Sequence, residues 1–405
     1  MTKITDIPAI RFKGFSDTWE QRKLGDVVDV RSGKDYKHLS EGNIPVYGTG
    51  GFMLSVNQAL SYDEDAIGIG RKGTIDKPYI LKAPFWTVDT LFYAIPREKV
   101  DLNFAFDVFQ NIDWKKKDES TGVPSLSKTA INEIDVLVPQ YDEQQPLGQF
   151  FNRIDNLITL HQRKYDKLTN VKKSMLEKMF PQNGSNAPEI RFKGFTEAWE
   201  QRKLGEVIRL NGRIGFRGYT EKDIVSKDDG GVLTFSPTNI VDNKLTTNCK
   251  NTYITRFKYD ESPEIKIHNG DILFVKTGST LGKSALVTGL SEDATLNPQV
   301  VVMRTNNLNA EFLAAMLVTN AIISQVNSAK IGGAVPTLTE TRIKDFDVAI
   351  PVSEAEKEQI GQFFSQLDHL ITLHQCEFQI VSKRRKARLR RRAFEFTVIF
   401  ALIVL

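Results

Sequence analysis

The chain has 405 residues, of which 26% are charged and 40% hydrophobic, proportions that are ordinary for a folded protein. Its length favours more than one domain, and its net charge of +4 is compatible with a nucleic-acid partner without requiring one. The two cysteines, Cys249 and Cys376, exclude a disulfide scaffold. The first residues hold no apolar signal segment, and the apolar run at 394–405 is shorter than the ~20 residues that span a membrane. We therefore expect a cytoplasmic protein with no membrane partner.

The first recognisable segment is RFKGFSDTWEQRKLG at Arg11–Gly25, which recurs as RFKGFTEAWEQRKLG at Arg191–Gly205. A second segment, GQFFNRIDNLITLHQ at Gly148–Gln162, recurs as GQFFSQLDHLITLHQ at Gly361–Gln375 with eleven of fifteen positions identical. The first pair is offset by 180 residues and the second by 213, so the second copy holds 33 more residues in its middle. Because solenoid repeats are about 20–50 residues long, this period indicates a duplicated domain.

The two regions between the repeated segments differ in sequence but share a β-rich composition. Asp65–Ile95 and Gly270–Gly289 hold short apolar runs of β-branched and aromatic residues, interrupted by Gly and Pro, which predicts short strands. One helix is predicted over Ala310–Asn327, with a shorter counterpart over Phe104–Ile112. Each region ends in a weaker repeat, a VP-S/T-L turn followed by a strand.

A long helix is predicted from about Asp142 to Met179, because the segment contains no Gly or Pro after Gly148. Its apolar residues recur at the a and d spacing of a coiled coil, whereas a helix lying on its own domain would show a wider stripe. In the second copy the pattern fails where arginine replaces Met175 and Met179. The predicted seam residues are Ile154, Ile158, Tyr165, Leu168, Met175, Leu367, Ile371 and Phe378.

These observations divide the chain into six segments, which alternate between β-rich domains and helical or connecting pieces. They are a first β-rich domain at 1–139, a first spacer helix at 140–180, a linker at 181–190, a second β-rich domain at 191–351, a second spacer helix at 352–392 and an atypical apolar tail at 393–405.

No motif predicts catalytic or metal chemistry. TGSTLGKSA at Thr277–Ala285 resembles a phosphate-binding loop, but the pattern requires Gly where Thr277 stands. The residues that follow it indicate a strand, whereas a phosphate-binding loop must open a helix. His161 and His374 occupy equivalent repeat positions, with no Cys or acid at ligand spacing. The sequence therefore predicts no catalytic residue and no metal site.

Both halves contain polar, Gly-rich loops that carry cations and aromatic side chains at matching places relative to the repeats. Lys and Arg neutralise phosphates, and Arg, Thr and other polar side chains can read base edges, so these loops are candidate DNA contacts. A solvated turn is the alternative for any single loop. The candidates are Lys34, Tyr36, Lys37, Tyr47, Arg71, Lys72, Thr74, Lys115 and Lys116 in the first half, and Arg213, Arg217, Tyr219, Lys276, Thr277, Ser279, Lys283 and Lys330 in the second.

From Arg11 to about Gln375, the paired KGF…WEQRKLG, VP-S/T-L and GQFF…LITLHQ segments together resemble the specificity subunit of type I restriction-modification systems. The resemblance implies an α+β fold with two β-rich target-recognition domains in a pseudo-two-fold arrangement, joined by two long antiparallel coiled-coil helices. It also implies a recognition subunit that is not itself an enzyme. Each domain would read one half of a bipartite, asymmetric site on double-stranded DNA.

The resemblance further implies two methyltransferase subunits docked on the helices and two restriction and translocase subunits. Those partners would hold S-adenosylmethionine, ATP and Mg²⁺ and would flip and methylate adenine, so this chain is expected to bind no cofactor. The helix length agrees with such a reader. About 38 residues span roughly 57 Å, which exceeds the ~34 Å of one DNA turn and predicts unread base pairs between the half-sites.

One departure from the family lies in the second helix, which ends in SKRRKARLRRR before the apolar tail. We interpret this end as altered relative to the family, with a shortened second spacer helix; a basic solvated tail is the alternative. For the chain as a whole, a stand-alone DNA-binding protein that dimerises through its coiled coil is a rival interpretation. A fused restriction and methylation enzyme is a second rival, and the missing catalytic motifs argue against it.

Overall fold

The computed structural model describes residues 11–182 and 184–390. They form two units, the first made of residues 11–162 and 375–390 and the second of residues 163–374. Each unit contains one β-rich domain and a portion of each of two long helices. The division between the units therefore cuts through both helices, whereas the sequence analysis treats each helix as a separate segment.

The first domain is built from nine short strands and three short helices, followed by the first long helix. These elements are β1 (Glu20–Lys23), α1 (Leu24–Val27), β2 (Val28–Ser32), β3 (Glu41–Gly48), β4 (Gly51–Val56), β5 (Ala66–Gly70), β6 (Tyr79–Leu81), β7 (Trp86–Thr87), β8 (Leu91–Pro96), α2 (Leu102–Asn111), α3 (Lys128–Asn132), β9 (Asp135–Val138) and α4 (Tyr141–Lys178).

The core of the first domain lies between an antiparallel sheet, in the order β2-β8-β5-β6, and α2. The central strand β5 is buried along its whole length, and its Ile67 and Ile69 join Phe104 and Phe109 of α2 in the core. Helix α2 begins at this point because Asp101 caps it, accepting a hydrogen bond from the amide of Phe104 at 2.9 Å. A second sheet, in the order β4-β3-β7, extends the domain.

The second domain is larger and is followed by the second long helix. Its elements are β10 (Glu200–Lys203), α5 (Leu204–Val207), β11 (Ile208–Gly212), β12 (Val232–Phe235), β13 (Ile240–Val241), β14 (Lys244–Leu245), β15 (Thr252–Ile254), α6 (Arg256–Asp260), β16 (Ile272–Val275), β17 (Ser284–Leu286), β18 (Ala294–Leu296), β19 (Val300–Thr305), α7 (Ala310–Leu317), α8 (Asn320–Ala329), α9 (Glu340–Lys344), β20 (Asp347–Ile350) and α10 (Glu354–Arg390).

The second domain repeats the sheet order of the first. An antiparallel sheet in the order β11-β19-β16-β17 corresponds to β2-β8-β5-β6, and a sheet in the order β15-β12-β18 corresponds to β4-β3-β7. In both three-stranded sheets one pair is parallel, β3 with β7 and β12 with β18. The pair β10-β20 likewise corresponds to β1-β9. Two regions that differ in sequence therefore share one topology.

The extra residues of the second domain include the β13-β14 hairpin, whose turn residues Asp242 and Asn243 have positive φ angles of 50° and 58°. Asp and Asn are among the few residues that adopt this conformation readily, as a two-residue hairpin turn requires. Lys244 follows the turn and donates to the carbonyl of Asp368 on α10 at 3.3 Å. The hairpin is thereby attached to the long helix within the second unit.

The single helix predicted over 310–327 is wrong, because two helices, α7 and α8, occupy this segment at an angle of 61°. Helix α7 ends at Leu317, and the hydroxyl of Thr319 donates to the carbonyl of Met316 at 2.8 Å. Competition of a Thr hydroxyl for the last carbonyls of a helix favours such a break. The shorter counterpart in the first domain is one helix, α2.

Each leading repeat segment is attached to the start of a long helix by the same buried ion pair. In the first unit Arg11 donates through Nε and Nη2 to the two oxygens of Glu143, both at 2.6 Å. In the second unit Arg191 binds Glu356 in the same way at 2.6 and 2.7 Å. Both carboxylate side chains are 1% exposed. The planar guanidinium fits a carboxylate with two parallel bonds, which explains why the same residue types recur in both copies.

The glycine that opens each GQFF repeat permits close packing of the long helix on its own domain. A Cβ at Gly148 would lie 2.4 Å from Oδ1 of the capping residue Asp101. A Cβ at Gly361 would lie 2.5 Å from Oδ1 of Asn309, which caps α7. A side chain at either position would separate the helix from the cap, so the repeat retains glycine despite its low helix propensity.

The long helices run antiparallel in each unit. In the second unit Lys172 of α4 binds both carboxylate oxygens of Asp368 on α10 at 2.6 Å, and the ring of Phe180, two residues after α4 ends, lies 5.9 Å from that of Phe364. In the first unit Asp155 of α4 accepts from Arg385 of α10 at 2.6 Å. His161, further along α4, contacts Glu377, which lies earlier on α10. In both units a later position on one helix thus meets an earlier position on the other.

The predicted seam residues are buried or half-buried along these contacts. Leu367 and Ile371 are 8% and 7% exposed, and Leu168 and Met175 pack against the core of the second unit. In the first unit Ile154, Ile158 and Phe378 are half-buried, as is Tyr165 in the second. The pattern at the a and d positions therefore coincides with the faces that the helices bury.

The predicted shortening of the second spacer helix is wrong for the described residues. Helix α10 continues to Arg390 and has 37 residues, against 38 in α4. The arginines do not end it because Arg is a good helix former, and Arg385 is itself buried against α4. The apolar tail at 393–405 lies outside the described residues.

No single helix among residues 11–182 and 184–390 is both long and apolar enough to cross a membrane. The bent pair α7 and α8 passes this criterion only when the two helices are taken together. Several residues of α7, among them Phe312 and Leu313, belong to the core of the second unit.

Candidate nucleic-acid interface

The turn after β5 in the first domain is formed by Arg71, Lys72 and Gly73. The carbonyl of Arg71 accepts from the amide of Leu126 at 2.9 Å, and the amide of Gly73 donates to the carbonyl of Pro124 at 2.9 Å. The turn is therefore held by the VP-S-L repeat, which comes about fifty residues later in the sequence. Its two basic side chains are exposed.

The turn after β16 in the second domain has the same construction. The carbonyl of Lys276 accepts from the amide of Leu338 at 2.8 Å, and the amide of Gly278 donates to the carbonyl of Pro336 at 2.9 Å. Thr277 lies between them and is half-buried. These three positions correspond one for one to the turn after β5. The structure thus brings two of the predicted loops, which differ in sequence, to equivalent places.

The basic side chains of the first turn border an open groove. The guanidinium of Arg71 lies 5.8 Å from the centre of the Phe92 ring and donates to the carbonyl of Asp89 at 3.4 Å. Lys72 and Lys128 line the same groove. Within the part of the chain that the structure describes, no carboxylate forms an ion pair with these three cations. The groove is therefore a surface of positive charge that is available to an anion.

The equivalent cation of the second domain is already paired. Nζ of Lys276 lies 3.0 Å from Oε1 of Glu340, and the lysine side chain is 19% exposed. Further along the same loop Ser279 is exposed and Lys283 is half-buried. Lys330 is exposed at the end of α8, beside the second VP-T-L repeat. The second surface is thus more neutral than the first.

A second group of candidates in the first domain surrounds Trp86. Tyr36 and Tyr47 pack in a small core cluster with this residue, while Lys34 and Lys37 are exposed. The indole of Trp86 donates to the carbonyl of Lys34 at 2.9 Å, which positions the loop. The two lysines can reach a ligand, whereas the two tyrosines chiefly support the loop that carries them.

The tip of the β3-β4 hairpin presents apolar side chains that the sequence analysis missed. Phe52 and Met53 are 63% and 49% exposed, and the ring of Phe52 lies 6.3 Å from that of Tyr47. Tyr79 donates to the carbonyl of Gly48 at 2.7 Å, and burial raises the pKa of its phenol. The VYGTGGFM sequence, with three glycines at and beside a turn flanked by aromatic residues, is the signal that predicts an exposed hairpin tip.

Three further candidates of the first domain have internal contacts. Lys115 binds Asp76 at 3.1 Å and lowers the pKa of that carboxyl through the hydrogen bond, and Lys116 lies 3.3 Å from Asp113. Both lysine side chains are largely exposed, so these pairs stabilise the fold only weakly. Thr74 is half-buried beside the turn after β5.

Arg213 has a structural role and does not present a charge to solvent. It is 6% exposed, and its guanidinium donates to the carbonyl of Leu296 at 2.9 Å and to Oγ1 of Thr295 at 3.0 Å. Burial lowers the pKa of this guanidinium. Arg217 pairs with Glu264 at 3.4 Å. The sequence cannot separate such a buried arginine from an exposed one in the same loop, because burial depends on the neighbouring strands.

Tyr219 belongs to the same internal group. Its ring lies 5.4 Å from the Arg213 guanidinium, and its hydroxyl accepts from Nδ2 of Asn297 at 3.0 Å. We therefore retain the exposed cations as candidate contacts and assign Arg213 and Tyr219 to the support of the loop.

The sequence analysis also missed two features of the VP-S/T-L repeats. The valines at their tips, Val123 and Val335, are 68% and 60% exposed. Lys128 follows the first repeat and Glu340 follows the second, so one aligned position differs in charge sign. Aligning the two repeats residue by residue reveals this difference, although it does not show that Lys128 shares a groove with Arg71.

His161 lies on α4, on the side that contacts α10. The sequence analysis found no acid at ligand spacing along the helix, but an acid approaches from the other helix, because Nδ1 of His161 lies 2.9 Å from Oε2 of Glu377. The imidazole is half-buried in this contact. The pair is a hydrogen bond between the helices within the first unit.

The fold is that of a known class of duplicated α+β proteins. The described chain is similar in fold to a crystal structure of the S subunit of a type I restriction-modification system from M. genitalium. The match has a TM-score of 0.68 and 11% sequence identity, and it covers 96% of this chain and 100% of the other. The predicted fold class, with two β-rich domains and two long helices, is confirmed.

The family pattern of the type I restriction modification DNA specificity domain matches residues 16–170 and again residues 196–380. The chain therefore belongs to this family, with two copies of the domain. It is also 21% identical to the specificity subunit of the type I restriction enzyme MjaVIII from Methanocaldococcus jannaschii, over 91% of each chain. The chain is accordingly a DNA-specificity subunit, a recognition component rather than an enzyme.

Proposed function

We propose that each domain reads one half of a bipartite, asymmetric DNA sequence and that α4 and α10 set the distance between the halves. The proposal rests on the two turns after β5 and β16, which share their backbone contacts but differ in their side chains. The shared protein scaffold supports the same approach to DNA by both domains, since contacts to the DNA phosphates orient a protein on the duplex. Different side chains support two different half-sites, since base edges specify sequence.

The polar side chains of these loops that are exposed or half-buried at the surface are the proposed contacts. Cations neutralise phosphates or bind guanine, and hydroxyl groups can accept or donate at either base of a pair. In the first domain the proposed contacts are Lys34, Lys37, Arg71 and Lys72, and in the second they are Thr277, Ser279, Lys283 and Lys330.

The helices also expose a matched pair of apolar patches, which we propose as docking sites for two methyltransferase subunits. Leu157 and Leu160 are 47% and 46% exposed on α4, and the residues at their repeat positions on α10, Leu370 and Leu373, are 40% and 42% exposed. Because large apolar side chains at a protein surface indicate interaction sites, equivalent patches on both helices favour two copies of one partner. One subunit would dock on each helix.

Two restriction and translocase subunits would complete the assembly in the cytoplasm. The partners would carry S-adenosylmethionine, ATP and Mg²⁺, and adenine methylation would take place in the methyltransferase subunits. Family membership favours this assignment over a stand-alone DNA-binding protein.

An exchange of one domain tests the division of labour between the halves. Replacing residues 26–138 with the corresponding region of another specificity subunit should change one half-site of the methylated sequence and leave the other unchanged. Genome-wide mapping of methylated adenine in cells that express the chimaera with its partners measures both halves at once.

The reciprocal replacement of residues 206–350 is the matched control, and it should change only the other half-site. If either chimaera assembles but alters both half-sites, the two domains do not read independently and the proposal fails.

A further inference from the structure

The grooves beside the two equivalent turns differ in charge at aligned positions. Four positions of the two grooves can be aligned. Two of them are turn residues, which contact the VP-S/T-L repeat through the same main-chain hydrogen bonds in both domains. A third is the residue at 128 and 340, which in both domains follows the N-cap of a short helix. The fourth position is aligned by a matching main-chain hydrogen bond. The amide of Glu119 donates to the carbonyl of Ser125 at 3.2 Å, and the amide of Ile331 donates to the carbonyl of Thr337 at 2.9 Å. These positions hold Arg71, Lys72, Lys128 and Glu119 in the first domain, and Lys276, Thr277, Glu340 and Ile331 in the second.

The first groove has an excess of positive charge. Three of its four aligned residues are cations and one is a carboxylate, and the three cations are exposed. Arg71 lies against the Phe92 ring, and the side-chain hydrogen bond of its guanidinium to a described residue is a long one, to the carbonyl of Asp89 at 3.4 Å. Packing against the ring limits the motion of the guanidinium, so less side-chain entropy is lost when it binds an anion.

The second groove is neutralised from within. The one cation among its four aligned residues, Lys276, contacts Glu340 at 3.0 Å. The pair closes over Gly212, since a Cβ there would lie 2.5 Å from Oε1 of Glu340 and 3.1 Å from Nζ of Lys276. The glutamate thus occupies the place where an external anion would meet the lysine.

We propose that the Arg71–Lys72–Lys128 groove binds a phosphate group of the DNA backbone, and that the second domain lacks this contact because Glu340 replaces the external anion. The proposal rests on the proposed function, since it assumes that both domains approach DNA with these turns. It adds that the two domains hold the duplex unequally. The first domain is anchored by a phosphate that the second does not bind.

Charge reversal at the aligned position tests the proposal in both directions. Lys128→Glu copies the second domain into the first, and Glu340→Lys copies the first into the second. Binding of the full chain, together with its methyltransferase subunits, to a duplex that carries its methylated sequence is measured at several salt concentrations.

Affinity for DNA falls as salt rises, and Lys128→Glu should make the plot of log affinity against log salt shallower by about one unit of slope. This corresponds to roughly an eight-fold loss of affinity at ~0.1 M salt. Glu340→Lys should make the plot steeper by about one, because it releases Lys276 from its ion pair and adds a second cation, so that the second groove can bind a phosphate. Lys13→Glu changes the net charge equally at an exposed position of the leading repeat, and its slope should stay at the wild-type value. Thermal unfolding of each variant confirms that it is folded.

Slopes that do not change in Lys128→Glu and Glu340→Lys, or that change equally in Lys13→Glu, would overturn the inference while leaving the proposed function intact. A Lys128→Glu variant that methylates a different sequence would also overturn it, because a phosphate contact carries no base information. The proposed function would fail separately if the wild-type complex showed no preference for its methylated sequence over a scrambled duplex.

Discussion

Arg385 and Lys172 occupy equivalent positions of the two long helices but have different surroundings. Among the described residues, the ammonium group of Lys172 binds only Asp368, at 2.6 Å. Arg385 binds Asp155, the repeat equivalent of Asp368, and also lies 3.3 Å from Asp107 of α2. Asp107 stands six residues after Asp101, which caps α2, and the residue six positions after Asn309, which caps α7, is Ala315. At this position the first unit therefore contains a buried carboxyl group where the second has a methyl group.

The carboxyl group of Asp107 has a pKa far from its ordinary value. Burial raises the pKa of its carboxyl to about 8, and Arg385 opposes this shift. Oδ2 of Asp107 is buried without a hydrogen-bond partner in the described structure. The folded chain thus binds a proton here that the unfolded chain, with an ordinary aspartate pKa of ~4, releases at neutral pH.

We predict that Asp107→Asn changes the pH dependence of stability. Between pH ~4 and ~8 the folded wild type holds a proton that the unfolded chain does not, so its free energy of unfolding falls as pH rises, by at most about 1.4 kcal/mol per pH unit. The asparagine variant lacks this loss. Its stability relative to wild type should therefore increase from pH 5 to pH 8.5, as measured by chemical denaturation.

The comparison isolates the effect of the substitution at residue 107, because the rest of the sequence is the same in both proteins. A stability difference that stays constant over this pH range would show that Asp107 keeps an ordinary pKa.

Gly148 supports a second prediction about a single position. Alanine usually stabilises a helix by about 1 kcal/mol relative to glycine. Here its Cβ would lie 2.4 Å from Oδ1 of Asp101 and 2.7 Å from the amide nitrogen of Phe104. Gly148→Ala should therefore destabilise the chain by about 1–3 kcal/mol, as overpacking does. The denaturation midpoint of the purified chain measures the effect.

Gly361→Ala should have a similar effect in the second unit, because its Cβ would meet Asn309 at 2.5 Å. Gly50→Ala is the control, since a Cβ there has no atom within 4 Å. A Gly148→Ala variant as stable as wild type would mean that the helix can shift away from the cap of α2 without cost.

Among the secondary-structure elements, the two long helices are the ones that the repeats make nearly identical. They have 38 and 37 residues and bury the same positions of the GQFF repeat in their respective units. The domains between the repeats share a topology but differ in their loops. Nearly identical helices and different loops agree with the proposed roles of the helices as spacer and of the two domains as readers.

Shortening both helices tests the spacer role. We predict that deleting seven residues centred on Tyr165 in α4, and seven at the repeat equivalent centred on Phe378 in α10, moves the half-sites closer. Seven residues are two helical turns and about 10.5 Å, or roughly three base pairs of DNA. Mapping of methylated adenine should show both half-sites unchanged with about three fewer base pairs between them.

Deleting two residues instead of seven from each helix is the control, because it rotates the seam by about 200° and should prevent assembly. A seven-residue deletion that assembles but keeps the wild-type spacing would refute the spacer role of the helices.

Viewed as one polypeptide, the chain combines two copies of a domain that have diverged in charge as well as in sequence. The internal Lys276–Glu340 pair and the exposed cations near Arg71 lie at equivalent turns of one topology. The extra β13-β14 hairpin attaches to α10 through Lys244, which belongs to the additional residues of the second copy. The two halves are therefore equivalent in architecture and different in their surfaces.

The duplication, the long helices, their seam and the family resemblance could all be inferred from the amino-acid sequence. Repeats and helical periodicity are local patterns, and they survive in the sequence whatever the rest of the chain does. The break between α7 and α8 and the length of α10 were predicted incorrectly. In these segments a side chain's contact with the backbone or with the other helix outweighs the local pattern.

The composition of the candidate site depended on the folded chain. Arg213 and Arg71 lie in similar glycine-rich loops, yet the first is buried against β18 and the second is exposed on a groove. Lys128 lies 57 residues from Arg71, and Asp107 lies 278 residues from Arg385. Such contacts depend on the path of the backbone between them, because burial and pairing are properties of three-dimensional neighbours and leave no periodic trace in the sequence.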